Sequence, residues 1–135
     1  MYIIPPGLKD FLTDYRRMSI KPSRNNHTFL QGKFDFTVIM ANGDGLIDDY
    51  DLKIIIPFNY PKEIPKVYEL ENKIPRDGRH HINPDDSLCL GSPFRIHIIL
   101  SKNLSIVNFA ENILVPYLFA ISKQKKYGGP IFPDE

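Results

Sequence analysis

The chain has 135 residues, about the usual size of one domain, and we expect residues 1–135 to form a single domain. Seventeen basic residues against sixteen acidic ones give a net charge of +1, which disfavours nucleic acid as the main partner. The one cysteine excludes an intramolecular disulfide and a cysteine-rich zinc site. No apolar run is long enough to cross a bilayer, and the first residues do not resemble a signal peptide. We therefore expect a cytoplasmic protein without a membrane partner.

The first half of the chain predicts one helix followed by an antiparallel sheet. Over residues 8–20, apolar side chains recur at helical spacing. Further on, Phe34, Phe36 and Val38 alternate with polar residues, a pattern that is typical of a strand. A turn with two glycines after this strand favours an antiparallel meander of three or four strands. The strongest predicted strand is residues 51–57, residues 27–40 form another, and residues 66–70 are a candidate for one short strand.

The last third of the chain predicts a second, longer helix over residues 105–126. Ser105 is a suitable N-cap, a broad apolar stripe follows it, and Gly128 suits the end of the helix. Pro116 lies inside the stripe, where a proline kinks a helix or splits it in two. Residues 128–135 have the composition of a loosely held end. The order of helix, antiparallel sheet, long loop and kinked helix indicates an α+β fold.

A long proline-rich loop separates the predicted sheet from this second helix. Long structureless loops inside compact domains are usually functional or disordered, and the apolar residues of this loop argue against disorder. Its densest part, residues 79–91, concentrates polar and reactive side chains within a short stretch. They are His80, His81, Asn83, Asp85, Asp86 and Cys89.

The residues alone leave several roles open for Cys89. A thiol is a strong nucleophile near neutral pH and imidazoles can assist it, but a free cysteine between Leu88 and Leu90 is also typical of core packing. A cysteine hydrolase needs a histidine and an orienting third side chain. A metal site built from His80, His81 and Cys89 would need both imidazoles to face the same ion. Adjacent side chains of an extended chain point to opposite faces, so two such histidines rarely bind one ion. A thioester carrier, which accepts an acyl group and passes it to an amine, needs only a thiol and an oxyanion donor on a rigid loop.

Two motifs of this region resemble those of ubiquitin-conjugating enzymes. Tyr60, Pro61 and Pro65 match the Tyr-Pro-x-x-x-Pro signature of that family, which follows a strand and shapes the loop after it. Residues 87–90, Ser-Leu-Cys-Leu, are similar to the family's active-site run, in which a small and an aliphatic residue precede the catalytic cysteine and a leucine follows it. The motifs occur in the family's order, and the resemblance covers roughly residues 8–122. It implies the ubiquitin-conjugating fold, a scaffold role for the proline motif and catalysis by Cys89.

The chain also departs from that family. Its His-Pro-Asn tripeptide falls on residues 79–81, Arg-His-His, so that His81 replaces the asparagine that steadies the loop and is proposed to stabilise the oxyanion. No tryptophan follows the cysteine, and only a short irregular stretch and the kinked helix stand in place of the usual C-terminal helices. In these departures the chain resembles divergent bacterial members of the family, which often keep a histidine upstream of the cysteine and lose the asparagine. The resemblance therefore implies that His81 is the oxyanion donor or a loop brace, with His80, Asn83 and Asp86 elsewhere in the active-site loop.

The same resemblance implies a reaction and its partners. Cys89 would take the C-terminus of a ubiquitin-like modifier protein from an activating enzyme as a thioester and then give it to an amine of a target protein. The divergent bacterial members are encoded beside activating-enzyme, deubiquitinase-like or nucleotidyltransferase genes in antiphage islands. Some act on the C-terminus of a cyclic-oligonucleotide synthase, as in CBASS-type defence. No cofactor and no metal are expected, and the alternatives are a catalytically inactive binding module of the same fold or a cysteine hydrolase.

Overall fold

A helix, an antiparallel sheet and a second group of helices follow each other along the chain, in a computed structural model that describes residues 3–22 and 25–132. In chain order the main elements are α1 (Leu8–Asp14), β1 (Met18–Lys21), β2 (Thr28–Ile39), β3 (Gly45–Ile56), β4 (Lys66–Glu69), α2 (Pro93–Lys102), α3 (Ile106–Phe109) and α4 (Val115–Tyr127). A 3-10 turn at Gly78–His80 lies in the long loop, and a π turn at Ala110–Leu114 joins α3 to α4. Within these described residues, no helix is long and apolar enough to cross a membrane.

The strands pair in the order β1-β2-β3-β4, so that each strand is antiparallel to the next one along the chain. The long strands β2 and β3 pair from Thr28 opposite Ile56 to Ile39 opposite Gly45. Along β2, alternate side chains such as Phe34 are buried because they face the core. The predicted α+β fold, with an N-terminal helix, an antiparallel meander and a C-terminal helix, is confirmed.

The first helix is shorter than predicted. Helix α1 covers only the first half of the expected range, and Met18–Lys21 forms the edge strand β1 instead. Met18 lies opposite Gly32, whose φ is +145°, and a Cβ added to this glycine would lie 2.0 Å from the carbonyl oxygen of Arg17. Glycine alone permits this close approach of two backbones. Strand pairing therefore prevails over the helical spacing of the apolar residues, and the prediction is wrong for the second half of that helix.

The core lies between the inner face of the sheet and the helices. The ring of Tyr15 stacks on that of Phe34 with 4.4 Å between centroids, and Phe11 packs beside both. Farther along the sheet, Tyr50 of β3 is fully buried, and its hydroxyl lies 2.6 Å from Oγ of Ser122 in α4. Aromatic burial and this hydrogen bond fix α4 against the strands.

The stretch after the predicted active-site run, expected to be irregular, contains helix α2. Its start has strong capping signals, since Oγ of Ser92 accepts a hydrogen bond from the N–H of Arg95 and Pro93 occupies the first turn. Only Ile96 and Leu100 are buried in α2, so the apolar stripe is too narrow to show the helical period clearly. The expectation is therefore wrong, and the capping residues were the signal that could have corrected it.

The predicted second helix is interrupted by a π turn. Ser105 caps it as predicted, with Oγ accepting a hydrogen bond from the N–H of Val107. In the π turn, the N–H of Val115 donates to the carbonyl of Ala110, five residues earlier. Pro116 follows directly, and a proline ring clashes with the carbonyl four residues before it in a regular helix. The wider turn relieves this clash, so the expected kink or split takes the form of a π turn.

Candidate functional site

The segment that leads to Cys89 begins with the 3-10 turn Gly78–His80, which Asp77 caps. Oδ1 of Asp77 accepts a hydrogen bond from the backbone N–H of His80 at 3.0 Å and lies 2.6 Å from Nδ1 of the same residue. The hydrogen bond from the His80 ring holds the pKa of Asp77 below its usual value. His80 is thus oriented by Asp77, and it lines neither of the two grooves that reach Cys89.

A tight hairpin turn follows and contains both Asn83 and Asp86. The N–H of Asn83 donates to the carbonyl of Ser87 at 2.8 Å, and the N–H of Asp86 donates to the carbonyl of Asn83 at 2.9 Å. The amide of Asn83 also donates to Oγ of Ser87 at 3.0 Å, so this amide is engaged within the turn. Asp86 is exposed, with a φ of +70° in the left-handed region that Asn, Asp and Gly adopt most readily.

Asp85 holds the same turn against the sheet. Its carboxylate accepts hydrogen bonds from the hydroxyl and the N–H of Ser87, at 2.6 and 3.0 Å, and from Nζ of Lys66 at 2.9 Å. The hydroxyl of Ser87, the Lys66 ammonium and the Ser87 N–H hold the pKa of Asp85 far below its usual value. The turn is therefore built around an ionised carboxylate at neutral pH.

Two backbone hydrogen bonds fix the residues on either side of this turn. The N–H of Leu88 donates to the carbonyl of Val67 in β4 at 2.8 Å, and the N–H of Cys89 donates to the carbonyl of His81 at 2.7 Å. The loop is consequently tied both to the sheet and across its own base. The backbone N–H of Cys89 is already engaged and does not point into a groove as a spare donor.

His81 stands at a second left-handed position, with a φ of +55°. The carbonyl just before it, that of His80, accepts a hydrogen bond from the hydroxyl of Tyr117 in α4 at 2.6 Å. Burial raises the pKa of Tyr117, so its hydroxyl remains a donor at neutral pH. The ring of His81 stacks on that of Phe132 with 3.9 Å between centroids and 12° between planes. These contacts fix both the backbone and the ring of His81.

Cys89 lies between two grooves and is half-buried, whereas Leu88 and Leu90 on either side of it are buried in the core. One groove, of about 430 Å³, runs between the loop and α4, and its lining includes His81, Tyr117 and Cys89. The other, of about 340 Å³, runs toward the proline motif and the start of α2. Cys89 therefore contributes to the walls of two surface depressions, one on either side of it.

The proline motif lies beside the groove that Cys89 lines on the side of α2. The hydroxyl of Tyr60 donates to the carbonyl of Leu104 at 2.9 Å, and burial raises the pKa of Tyr60 to about 12. The Tyr60–Pro61 peptide is cis, and Pro65 is buried and lines the second groove with Cys89. Tyr60 thus links the segment after β3 to the segment between α2 and α3, and Pro65 lies on the same groove as Cys89.

Several residues of the site were not singled out by the sequence. The sequence shows Tyr117 only as one member of the apolar stripe of the second helix. Arg95 lies in α2, a helix that the sequence analysis does not predict. Ile131 and Phe132 belong to the end expected to be loosely held, yet Ile131 is buried and both line the larger groove. That expectation is wrong for residues 128–132, while residues 133–135 lie outside the described residues.

The described side chains around Cys89 do not form a group that could hold a metal ion. Among residues 3–22 and 25–132, no three His, Cys, Asp or Glu side chains come together so as to hold an ion, which removes the support for a site built from His80, His81 and Cys89. Comparison with protein-family models, with curated proteins and with solved structures gave no match for this chain. The chemistry of the site must therefore be inferred from its geometry and its motifs.

Proposed function

We propose that the chain is a conjugating enzyme of the ubiquitin-conjugating type, with Cys89 as the residue that carries the acyl group. The observation that carries the proposal is the position of Cys89, half-buried in the walls of two grooves on a loop tied by hydrogen bonds on both sides. The α+β arrangement, the proline motif after a strand and the active-site run in the expected order support it. On this proposal the fold is that of the ubiquitin-conjugating family.

The proposed chemistry is two successive acyl transfers at Sγ of Cys89. In loading, the thiolate attacks the carbonyl of the donor's C-terminal thioester on the activating enzyme; a new C–S bond forms, and the activating enzyme's thiolate leaves. In discharge, a target amine attacks the thioester carbonyl, a C–N bond forms, the C–S bond breaks, and the proton lost by the amine balances the released thiolate. Each step passes through a tetrahedral oxyanion that needs pre-placed donors.

The geometry favours the role of loop brace for His81. Its carbonyl accepts from the N–H of Cys89, and its ring is stacked on Phe132. A brace of this kind holds the thiol in one position, and misplacement of a nucleophile by 1 Å can slow a reaction about a hundredfold. Asn83 is a weaker candidate for oxyanion donor, because its amide already donates to Ser87.

The donor is proposed to be a ubiquitin-like modifier or the C-terminus of a cyclic-oligonucleotide synthase, within cytoplasmic CBASS-type antiphage defence. The partners are then an activating enzyme, the modifier or nucleotidyltransferase, and a target amine. This assignment rests on the divergent bacterial pattern of His81 and the neighbouring histidine. A nucleotidyltransferase gene adjacent to the gene for this chain would support the synthase as the donor. A gene for a ubiquitin-like protein in that position, with no nucleotidyltransferase gene, would favour the modifier.

A cysteine hydrolase is the second candidate, because His80 and Asp77 form an oriented imidazole–carboxylate pair with 2.6 Å between Nδ1 and Oδ1. A hydrolase needs this imidazole within reach of the thiol. His80 lines neither groove at Cys89, so the pair is less suited to act as its base. A binding module without activity would not require a half-buried thiol at this position.

The decisive experiment is to isolate the loaded intermediate. The wild-type chain, incubated with ATP, the activating enzyme and the donor encoded beside it, should form an adduct whose mass equals chain plus donor minus one water. Dithiothreitol should cleave this thioester. Cys89→Ser should give an ester that resists the thiol, and Cys89→Ala should give no adduct. An adduct that persists in Cys89→Ala would place the acyl group on another residue and refute the proposal.

A matched pair of His81 variants separates its two possible roles. His81→Ala removes both the ring and its N–H, and we expect discharge of the preloaded chain to a free amine to slow roughly ten- to a hundredfold. His81→Phe keeps the stacking surface for Phe132 but has no N–H, so a loop brace predicts discharge close to the wild-type rate. His81→Phe as slow as His81→Ala would instead assign the oxyanion to the imidazole. His80→Ala should matter less than His81→Ala in the same assay.

A further inference from the structure

Arg95 places a positive charge on the wall of the larger groove beside Cys89. A guanidinium keeps its charge at every physiological pH and offers five N–H donors. Among the described residues that line this groove, none is Asp or Glu. Across residues 3–22 and 25–132, the side chain of Arg95 makes no ion pair and no hydrogen bond with another residue. Its donors therefore remain available to an anion that enters the groove.

The guanidinium lies close to the loop that carries the thiol. A Cβ added to Gly91 would lie 3.4 Å from Nη1 of Arg95, so this nitrogen lies beside the backbone two residues after Cys89. Two residues of extended chain span at most about 7 Å. An acidic side chain in a short peptide joined to Sγ of Cys89 can therefore reach Arg95.

Arg95 also occupies a position of α2 where a basic residue is unfavourable. Ser92 is the N-cap, and Arg95 is the third residue of the helix, with its N–H donating to Oγ of Ser92 at 3.2 Å. The positive end of the helix dipole lies here, and a glutamate or glutamine at this position would complete a capping box. The charge of Arg95 thus opposes the local electrostatics of α2, and a carboxylate bound to it would relieve that repulsion.

The lysine of the smaller groove, in contrast, is already paired within the chain. Nζ of Lys66 lies 2.9 Å from Oδ2 of Asp85. Lys66 and Arg95 thus lie on opposite sides of Cys89, one neutralised by a carboxylate of the chain and the other without such a partner among the described residues. An acidic group that approaches the thiol is consequently favoured on the side of the larger groove.

We infer that Arg95 is a specificity-determining residue, which binds the carboxylate of an aspartate or glutamate near the C-terminus of the acyl donor. The existence of such a donor rests on the proposed function. A guanidinium binds a carboxylate through two parallel hydrogen bonds, so the contact is both charged and directional. The substrate class is a peptide with an acidic C-terminal segment, which lies in the larger groove while its acyl carbon reaches Sγ of Cys89.

The first test compares two thiol reagents and needs no donor. Iodoacetate carries a carboxylate, iodoacetamide of nearly the same size does not, and each loses iodide as Sγ of Cys89 forms a new C–S bond. The ratio of the two rates cancels any effect of Arg95 on the thiol itself. Arg95→Gln should lower the iodoacetate-to-iodoacetamide ratio about three- to tenfold, and about 1 M salt should bring the wild-type ratio toward that of the variant.

Three further variants control this comparison. Arg95→Lys keeps the charge and should keep most of the ratio, whereas Lys102→Gln removes a basic residue from the last turn of the same helix and should leave the ratio unchanged. Arg95→Glu completes a capping box with Ser92, so it should unfold at no lower temperature than the wild type while giving the lowest ratio. A ratio in Arg95→Gln equal to that of the wild type would overturn the inference.

The second test measures the substrate class with small acyl donors. The probes are the ethyl thioesters of acetyl-Glu-Gly and acetyl-Gln-Gly; in each, Sγ of Cys89 forms the new C–S bond and ethanethiolate leaves. The wild type should take up the Glu-Gly donor at least threefold faster than the Gln-Gly donor, and Arg95→Gln should take up both at the same rate. Equal uptake of both donors by the wild type would refute the acidic substrate class. Failure of every chain to take up either donor, although the iodoacetate ratio depends on Arg95, would count against the proposed function and leave carboxylate binding by Arg95 standing.

Discussion

Removal of the Tyr117 hydroxyl tests whether α4 fixes the loop that carries the thiol. The hydroxyl donates to the carbonyl of His80 at 2.6 Å, and Tyr117 is 5% exposed, so Tyr117→Phe leaves the ring packed. A neutral hydrogen bond contributes about 1 kcal/mol net, and the half-buried carbonyl can turn toward water, so we expect to lose about 1–1.5 kcal/mol of unfolding free energy. With an unfolding entropy of about 0.28 kcal/mol/K for 135 residues, the Tm should fall by about 4–5 °C.

Amide hydrogen exchange of Cys89 reports the local effect, because its N–H donates to the carbonyl of His81. If the hydroxyl holds the loop, Tyr117→Phe should accelerate this exchange about tenfold, the equivalent of about 1.4 kcal/mol. Tyr50→Phe is the matched control: it removes another buried hydroxyl, whose hydrogen-bond partner is Oγ of Ser122 in α4 at 2.6 Å. We expect a comparable fall in Tm from this control and no change in Cys89 exchange.

Comparing the Tm and the Cys89 amide exchange of Tyr117→Phe and Tyr50→Phe shows whether the Tyr117 hydroxyl positions the loop. If Tyr117→Phe lowers the Tm but leaves Cys89 exchange at the wild-type rate, the hydroxyl stabilises the core without positioning the loop. Equal acceleration in both variants would show that Cys89 exchanges through global unfolding, which would also refute the local role.

Two further predictions concern the sheet and the turn. Gly32→Ala should cost about 3 kcal/mol in urea denaturation, because its Cβ would meet the carbonyl of Arg17, whereas Gly43→Ala, which also has a positive φ but open space, should cost about 1 kcal/mol. Since the pKa of Asp85 is lowered in the folded chain, its contribution to the turn is complete above the ordinary aspartate range near 3.9 and is lost as the pH falls below it. The Ser87 amide proton should therefore keep its downfield NMR shift at pH 5 and lose it with a midpoint below 3.9, and Asp85→Asn should abolish this titration; a midpoint at or above 3.9 would contradict the lowered pKa.

The elements predicted best were those whose side-chain period matches their burial. The strand expected over residues 27–40 is β2, because its alternation records one buried and one exposed face. The first helix was extended too far because Met18 fits both a helical stripe and a strand opposite Gly32. The close approach that favours the strand is a tertiary property, which the spacing of apolar residues does not record.

The candidate site was predictable only in its local part. Cys89, Asn83 and Asp86 lie within one loop, and short motifs suffice to bring them to attention. The contacts that define the groove join distant parts of the chain: the Tyr117 hydroxyl reaches a carbonyl 37 residues earlier, and Phe132 stacks on His81. No local pattern predicts such pairs, because they depend on how α4 and the segment after it pack on the loop.

The π turn at Ala110–Leu114 sets the rotational phase between α3 and α4. In a regular α-helix each residue advances the chain by about 100°, so the extra residue of a π turn rotates everything after it relative to everything before it. Deletion of one residue there would turn α4 by about 100°, moving Tyr117 away from the active-site loop and Ser122 away from Tyr50 at the same time. The number of residues in this short segment is therefore constrained. Residues 41–44 form the exposed tip between β2 and β3, where a change in length would not rotate one packed helix against another.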